Sequence, residues 1–208
     1  MKLNVLGIST SPRRNGNSDL LLKKALSGAE SAGANIEYIN LNDYEIGLCT
    51  ECNSCYKSGS CILKDDYNHV LEKILKSDRL IFATPVFFMS VCAQLKILID
   101  RGQAFWVEKY ILKKENVNSF RDCRAMIIAT GGSKSKKQYE CVRWVFRTYF
   151  DCLNVKYFSG LFVGKVDEFG AIEKQAIALD EAYRLGALLA LPETPLPEKP
   201  LDIEIISI

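Results

Sequence analysis

The chain has 208 residues, of which 48% are hydrophobic and 25% charged, and its formal net charge is +2. This length and composition indicate one globular domain and exclude a disordered chain, a collagen-like chain or a small disulfide scaffold. A nearly neutral chain has no broad basic surface for nucleic acid, and no apolar run has the length of a membrane span. The apolar start, residues 3–8, is short and is followed by polar residues, so we expect no signal peptide and a cytoplasmic protein.

Short apolar runs alternate along the chain with amphipathic helical stretches. The pattern predicts strands at residues 5–8, 36–41, 80–83, 125–129 and 155–163, and helices at residues 18–30, 66–76, 91–101, 138–150 and 171–191. Such alternation is typical of a parallel sheet that is covered by helices on both faces. We therefore predict an α/β fold of the flavodoxin-like, doubly wound class, with five parallel strands in the order 2-1-3-4-5 and a ligand at their carboxyl ends.

The end of the chain differs in composition from the rest. Four of the six prolines, at positions 192, 195, 197 and 200, precede residues 201–206, which alternate between apolar and polar side chains like a strand. We expect residues 1–190 to form the domain and residues 191–208 to form an extended proline-rich arm. The arm can add to an edge of its own sheet or to another subunit.

The loop after the first predicted strand combines hydroxyl groups, a cation and the start of a helix. It has neither the G-x-G-x-x-G fingerprint nor the Walker motif, so it matches neither of those nucleotide sites. Hydroxyl groups, an arginine and the free amides of a helix N-terminus suit a phosphate monoester. The alternative is a polar loop in which Asn17 or Ser18 caps the helix. The candidate cofactor-binding residues of this loop are Ser9, Ser11, Pro12, Arg13, Asn15, Gly16, Asn17 and Ser18.

These residues carry a resemblance to a known family. The pattern Ser9-x-Ser11-Pro12-Arg13-x-x-Gly16-Asn17-Ser18 after a strand resembles the FMN phosphate loop of the NAD(P)H-dependent FMN reductases and related flavodoxin-like oxidoreductases. The resemblance continues through residues 78–87, Gln94-Leu95-Lys96 and Asp100-Arg101, and it extends to about residue 189. It implies FMN as cofactor. The family commonly has tyrosine where Phe87 stands, and a contact through that hydroxyl is not expected here.

Two further segments follow the third and fourth predicted strands. Pro85 restricts the backbone after the third strand, so the amides that follow can donate to the edge of the flavin ring, and Phe87 and Phe88 can form walls. After the fourth strand, two glycines permit close approach of the backbone to a flat ligand. Alternatively, the aromatic side chains belong to the core. The candidate ring-binding residues are Thr84, Pro85, Val86, Phe87, Phe88, Thr130, Gly131 and Gly132.

Four of the eight cysteines, Cys49, Cys52, Cys55 and Cys61, lie in one short segment. In a reducing compartment such a group more often binds metal or takes part in redox chemistry than forms disulfides. The spacing C-x2-C-x2-C is that of four-iron ferredoxins, and residues 58–60 let the chain turn to bring back the fourth cysteine as a ligand. Structural zinc and cysteines without metal are the alternatives. We expect the other four cysteines to be buried, namely Cys92, Cys123, Cys141 and Cys152.

With the flavin loops, this cysteine spacing closely resembles that of the iron-sulfur flavoproteins of methanogens and other anaerobes. The resemblance implies one FMN and one [4Fe-4S] cluster per subunit, in a homodimer or homotetramer. In that family two aspartates follow the cysteines, like Asp65 and Asp66 here, and we expect Asp66 to cap a helix.

The combined cofactors imply an oxidoreductase that couples one-electron transfer at a cluster to two-electron chemistry at FMN. Ferredoxin or NAD(P)H is the expected donor and a small molecule the acceptor, and no catalytic acid or base is assigned. One alternative is a cluster-free NAD(P)H-dependent FMN or quinone reductase. Another is a non-enzymatic flavodoxin-like electron carrier, although such carriers are typically strongly acidic and this chain is not.

Overall fold

The computed structural model describes residues 2–206, and the following bounds refer to them. The strands are β1 (Asn4–Ser9), β2 (Asn35–Asn40), β3 (Arg79–Phe87), β4 (Ser90–Val91), β5 (Arg124–Thr130), β6 (Lys156–Val163) and β7 (Leu201–Ile205). The helices are α1 (Asn17–Ser31), α2 (Cys55–Ser58), α3 (Tyr67–Lys76), α4 (Ala93–Arg101), α5 (Gln103–Trp106), α6 (Lys137–Leu153) and α7 (Ala176–Ala190). Short helical turns occupy Leu41–Asp43, Val107–Ile111, Val117–Phe120 and Ala171–Lys174. Across the described residues, every helix is too short or too polar to span a bilayer.

The sheet is built from parallel strands in the order β2-β1-β3-β5-β6-β7. Its first five members reproduce the predicted flavodoxin-like order. The prediction of five strands in total is wrong, because the sheet has seven strands within residues 2–206. One addition is β4, which pairs antiparallel with the end of β3, and the other is β7 at the outer edge. The helix expected at residues 91–101 accordingly begins later, at Ala93.

Two apolar layers cover the faces of the sheet. Side chains of a strand alternate between faces, so Leu6 packs with α3, α4 and α6 on one side while Val5 packs with α1 and α7 on the other. Of the four scattered cysteines, Cys141 is exposed, contrary to expectation, because it lies on the solvent side of α6; the other three are buried.

The backbones of helices α1 and α7 are in direct contact. A Cβ atom added to Gly28 of α1 would lie 2.0 Å from the carbonyl oxygen of Tyr183, and one added to Gly186 of α7 would lie 2.0 Å from that of Ala25. Only glycine permits this approach from both sides. The contact fixes α1, whose first residues form part of the site described below, against the rest of the domain.

The C-terminal arm adds to its own sheet. Strand β7 pairs in parallel with β6, from Ser159 opposite Leu201 to Val163 opposite Ile205. Arg143 of α6 secures the strand through ion pairs with Asp202, at 2.8 Å, and with Glu204. Of the two expectations for this arm, the edge of its own sheet is the one observed, and residues 207–208 lie outside the described part of the chain.

Candidate functional site

The carboxyl ends of β1, β3 and β5 open into one cleft. Most of the predicted cofactor-binding residues line it: Ser11, Pro12, Arg13, Gly16, Asn17, Ser18, Pro85, Val86, Phe87, Thr130, Gly131 and Gly132. Four predicted residues are absent from the lining, namely Ser9, Asn15, Thr84 and Phe88. Three residues that the sequence analysis did not identify complete it: Val166, Asp167 and Phe169. They follow β6, and the rule that ligands lie beyond the carboxyl ends of parallel strands is the signal that points to them.

One end of the cleft is the start of α1. Gly16 occupies the N-cap position and no side chain caps the helix, contrary to the alternative of capping by Asn17 or Ser18. The first backbone bond of the helix runs from the amide of Leu20 to the carbonyl of Gly16, at 3.0 Å. The preceding amides therefore lack an acceptor within the helix, and such a helix start attracts an anion.

The side chain of Asn17 joins the loop after β1 to the segment after β6. Its Nδ2 donates to the carbonyls of Val166 (2.9 Å) and Glu168 (2.8 Å), and its Oδ1 accepts from the amide of Ile172 (3.1 Å). Arg13 Nη1 adds a bond to the carbonyl of Asp167, at 3.3 Å. Because these bonds occupy the Asn17 side chain, its backbone amide is the group that remains for a ligand.

A charged network lies beneath the loop. Asp19 accepts hydrogen bonds from the Tyr38 hydroxyl (2.7 Å) and the Asn15 amide (3.0 Å), and it pairs with Lys23 at 3.0 Å. Burial acts to raise the pKa of Asp19, but hydrogen bonds from Tyr38 and Lys23 hold it below its ordinary value. Ser9 is completely buried beside this network, and it too acts to lower the pKa of Asp19. Asn15 and Ser9 thus contact the charged network beneath the loop and do not line the cleft.

A tight hairpin forms another part of the cleft wall. Val86 and Phe87 of β3 pair with Val91 and Ser90 of β4, and the turn between them consists of Phe88 and Met89, with φ of 47° and 65°. The turn carries the fully exposed Phe88 at its tip, away from the cleft lining, while the half-exposed Phe87 lines the cleft.

Buried polar contacts hold this hairpin to β1. The Oγ1 atom of Thr84 donates to the carbonyl of Pro85 at 2.9 Å and accepts from the amide of Cys92 at 3.3 Å. The thiol of Cys92 donates to the carbonyl of Thr10 at 3.0 Å. Thr84 is completely buried, so it supports the cleft from below.

The glycine segment after β5 is held by backbone bonds to the strand next to it. The amide of Gly131 donates to the carbonyl of Val163 (3.0 Å), and its carbonyl accepts from the amide of Val166 (3.2 Å). A Cβ atom on Gly132 would lie 3.1 Å from the side chain of Asp167. The absence of a side chain here keeps the wall of the cleft close to the backbone.

A second pocket contains the cysteine segment. All four predicted ligands, Cys49, Cys52, Cys55 and Cys61, line it together with Arg101 of α4. Their thiols are free, and within residues 2–206 no three Cys, His, Asp or Glu side chains are arranged as a group that could hold a metal ion. The structure therefore gathers the four sulfur atoms in one pocket without drawing them into a coordination geometry.

Electrostatics couple these thiols. Burial raises the pKa of Cys55, and the charges of Cys61, Cys49 and Cys52 raise it further. Hydrogen bonds from Ser54 lower the pKa of the exposed Cys52. In its chemistry, a set of four neighbouring sulfur donors fits a soft metal centre or an iron-sulfur cluster.

Arg101 forms the buried wall of the cysteine pocket. Its Nη1 donates to Asp65 at 2.6 Å and to the carbonyl of Gly47 at 3.0 Å, and its Nη2 donates to Asp65 at 3.2 Å. The guanidinium stacks over the ring of Tyr67, 4.5 Å from its centroid. Burial acts to lower the pKa of Arg101, but Asp65 and the charge of Cys61 raise it above the ordinary value.

The two aspartates after the cysteines differ from expectation. Asp66 holds the N-cap position of α3 but caps no amide there, because its carboxylate instead accepts from the amide of Glu45 at 2.8 Å. Asp65 accepts from the Tyr67 amide, at 3.1 Å. Burial acts to raise the pKa of Asp65, but Arg101 and the amides of Gly47 and Tyr67 hold it below the ordinary value. Asp65 therefore joins α3 to α4.

The strand order and the cleft at the carboxyl ends define a flavodoxin-like α/β protein. Residues 3–157 match the family model described as NADPH-dependent FMN reductase, and the chain belongs to this family. It is an FMN-dependent oxidoreductase.

Sequence comparison gives relatives along most of the chain. An iron-sulfur flavoprotein of Methanocaldococcus jannaschii is 30% identical over 90% of this chain and 96% of the relative. A second iron-sulfur flavoprotein of that organism is 35% identical over 69% of each.

Solved structures share the fold. An NAD(P)H:quinone oxidoreductase from Methanothermobacter marburgensis superimposes with a TM-score of 0.70 at 20% identity, and the match covers 91% of this chain and 96% of that one. A flavone reductase also gives a TM-score of 0.70, at 19% identity. This match covers 96% of this chain and 66% of that protein.

Proposed function

We propose that this chain holds FMN in the cleft and one [4Fe-4S] cluster in the cysteine pocket, and that it couples one-electron transfer to a two-electron reaction. FMN exchanges electrons in pairs or singly, whereas a cluster exchanges one at a time. The observation that carries the proposal is the meeting of four cysteine thiols in a single pocket of a flavodoxin-like fold. Both Methanocaldococcus jannaschii relatives described above bear the name iron-sulfur flavoprotein.

In this proposal the phosphate of FMN lies at the start of α1. The amides of Asn17 and Ser18, the Ser11 hydroxyl and the Arg13 guanidinium bind it, since all four residues line that end of the cleft. The bonds from the Asn17 side chain to the segment after β6 hold the loop in shape before the ligand arrives.

The ring of FMN lies between the hairpin and the glycine segment. Residues 85–87 supply amides and one aromatic wall, and residues 130–132 supply backbone on the other side. Phe169, which is 63% exposed, adds a second aromatic side chain to the lining. An exposed aromatic residue at the mouth of the cleft can pack on the ring and exclude water from it.

Cys49, Cys52, Cys55 and Cys61 are the proposed cluster ligands. Gly59, with a φ of 79°, ends α2 and reverses the chain between the third and fourth cysteine. This turn brings the last thiol to the pocket that the first three line, as the sequence spacing requires for a single cluster.

The proposed donor is NAD(P)H or ferredoxin, and the proposed acceptor is a small molecule. The proposed assembly is a homodimer or homotetramer. Anaerobic reduction of the bound FMN by NADPH, NADH and reduced ferredoxin, followed at 450 nm, compares the donors. The mass of the holoprotein by light scattering gives the assembly.

The central test is the content of iron, acid-labile sulfide and FMN in anaerobically purified protein. We expect about four iron, about four sulfide and about one FMN per chain, and a visible spectrum that dithionite bleaches. Cys52→Ser removes a proposed ligand and should lower iron and sulfide while FMN remains. Cys141→Ser, an exposed cysteine outside the pocket, is the matched control and should retain both cofactors.

Full FMN without iron or sulfide, even after anaerobic reconstitution, contradicts the cluster. The chain would then be a cluster-free NAD(P)H-dependent FMN or quinone reductase, which agrees with the absence of a metal-holding geometry among the described residues.

A further inference from the structure

Arg101 contains a buried donor with no acceptor. The residue is 1% exposed, and both terminal nitrogens of its guanidinium are engaged with Asp65 and Gly47. Its Nε atom is buried and has no hydrogen-bond partner. Buried donors are nearly always satisfied, because an unmade bond costs the full desolvation of the group. The Nε–H is therefore available to an acceptor in the cysteine pocket that Arg101 lines.

The pocket itself limits what that acceptor can be. Its lining contains the four cysteines, apolar side chains such as Leu63 and Ala104, and four residues with oxygen acceptors, Thr50, Glu51, Asn53 and Gln103. Of these lining residues, Cys61 is the one that acts on the guanidinium, through its charge and as a hydrogen-bonding partner. The acceptor to which this interaction points is sulfur, either the Cys61 thiolate or a sulfide of a group bound beside it.

We propose that Arg101 is a positioning residue for the cluster, whose Nε–H donates to the sulfur of Cys61 or to a neighbouring sulfide and thereby favours the reduced state. This inference rests on the proposed function, since it requires a cluster in the pocket. Reduction adds one negative charge to the cluster. Hydrogen bonds to the sulfur atoms and nearby positive charge stabilise that added charge and raise the reduction potential.

Substitution of Asp65 should shift the reduction potential of the cluster in the direction opposite to substitution of Arg101. Its carboxylate pairs with both terminal nitrogens of Arg101 and so offsets part of the guanidinium charge. Removing the positive charge should disfavour the reduced cluster, whereas neutralising Asp65 should favour it. General damage to the pocket has no reason to produce opposite shifts in two residues that contact each other.

The experiment is a redox titration of the cluster, followed by electron paramagnetic resonance, in anaerobically reconstituted wild-type and variant proteins. At the wild-type midpoint, Arg101→Gln should lower the ratio of reduced to oxidised cluster at least tenfold, which corresponds to about 59 mV for a one-electron couple. Asp65→Asn should raise the same ratio.

Arg79→Gln is the matched control. Arg79 is also a buried arginine, 2% exposed, and it donates to the carbonyl of Leu189 at 2.9 Å and pairs with Asp122 at 3.4 Å. It begins β3, at the opposite end of that strand from the flavin hairpin. Its loss should lower stability and leave the cluster ratio unchanged.

Unchanged ratios in both test variants, or shifts of the same sign, overturn the role of Arg101. If Arg101→Gln assembles no cluster, Asp65→Asn decides: a raised ratio supports the proposal, and an unchanged or lowered one refutes it. Iron and sulfide in the wild-type protein are measured first. Their absence refutes the proposed function itself, so the two failures are distinguishable.

Discussion

The contact between α1 and α7 makes Gly186→Ala the sharpest test of how the fold supports the site. The new Cβ atom would lie 2.0 Å from the carbonyl oxygen of Ala25, whereas real Cβ contacts are essentially never shorter than 3.0 Å. The obstacle is backbone of a neighbouring helix, so no side chain can rotate away. The two helices must therefore move apart by about 1 Å or more at this point.

Two opposing effects set the size of the change. Alanine in place of a helical glycine gains about 1 kcal/mol of helix propensity. Overpacking in a well-packed interior costs about 1–3 kcal/mol, and more when backbone must shift. We expect a net loss of about 1–2 kcal/mol, which for a domain of this size lowers Tm by about 2–8 °C.

The assay is urea and thermal unfolding of the FMN-free protein, followed by circular dichroism. Titration with FMN should also show weaker binding, because α1 carries the proposed phosphate site at its start. Ser27→Ala, at an exposed position of α1, is the control and should change stability by no more than about 0.5 kcal/mol. A Gly186→Ala protein as stable as wild type would refute the reasoning from close helix contact.

Three further predictions concern side chains around the cleft and the arm. Asn17→Ala removes three buried hydrogen bonds and should weaken FMN binding by about tenfold or more in a fluorescence titration; an unchanged Kd would contradict the role of this side chain in shaping the loop. Folding lowers the pKa of Asp19, so its contribution to stability is present above its unfolded pKa of about 3.9 and is lost as pH falls through its folded pKa. The urea concentration at the unfolding midpoint, measured between pH 2 and 6, should therefore fall less steeply with decreasing pH in Asp19→Asn than in wild type. Arg143→Met removes the ion pairs with Asp202 and Glu204 and should lower stability by about 1–3 kcal/mol, with faster hydrogen exchange in residues 201–205; equal exchange rates would show that strand pairing alone holds the arm.

The long elements could be predicted from the sequence because burial on both faces makes parallel strands read as apolar runs. The predicted strand at residues 125–129, for example, lies within Arg124–Thr130. The hairpin formed with β4 could not be predicted in this way. Its turn, Phe88 and Met89, contains none of the glycine, asparagine or aspartate that signals a left-handed turn, and β4 has two residues.

The candidate site, like the fold, could be predicted only in part. Its loops with glycine, proline and hydroxyl residues could be identified from the sequence, and the four cysteines could be identified from their spacing alone. Val166, Asp167 and Phe169 were missed because they lie in a loop whose position depends on the distant Asn17 side chain. Arg101 belongs to a sequence segment that resembles the family, but its burial beside the cysteines depends on the fold that joins α4 to residues 47 and 65.

Helix α4 relates the two proposed cofactor sites. It begins at Ala93, next to Cys92, whose amide and thiol are bonded to Thr84 and Thr10 under the flavin cleft, and it ends at Arg101 in the wall of the cysteine pocket. Nine helical residues span about 13 Å, so the helix sets a fixed spacing between the supports of the two sites. A change at Arg101 that alters the cluster should therefore leave FMN affinity intact, since the bonds beneath the cleft are at the other end of a rigid element. Equal FMN binding by wild-type and Arg101→Gln proteins would separate the two sites energetically, and a parallel loss of FMN would show that α4 couples them.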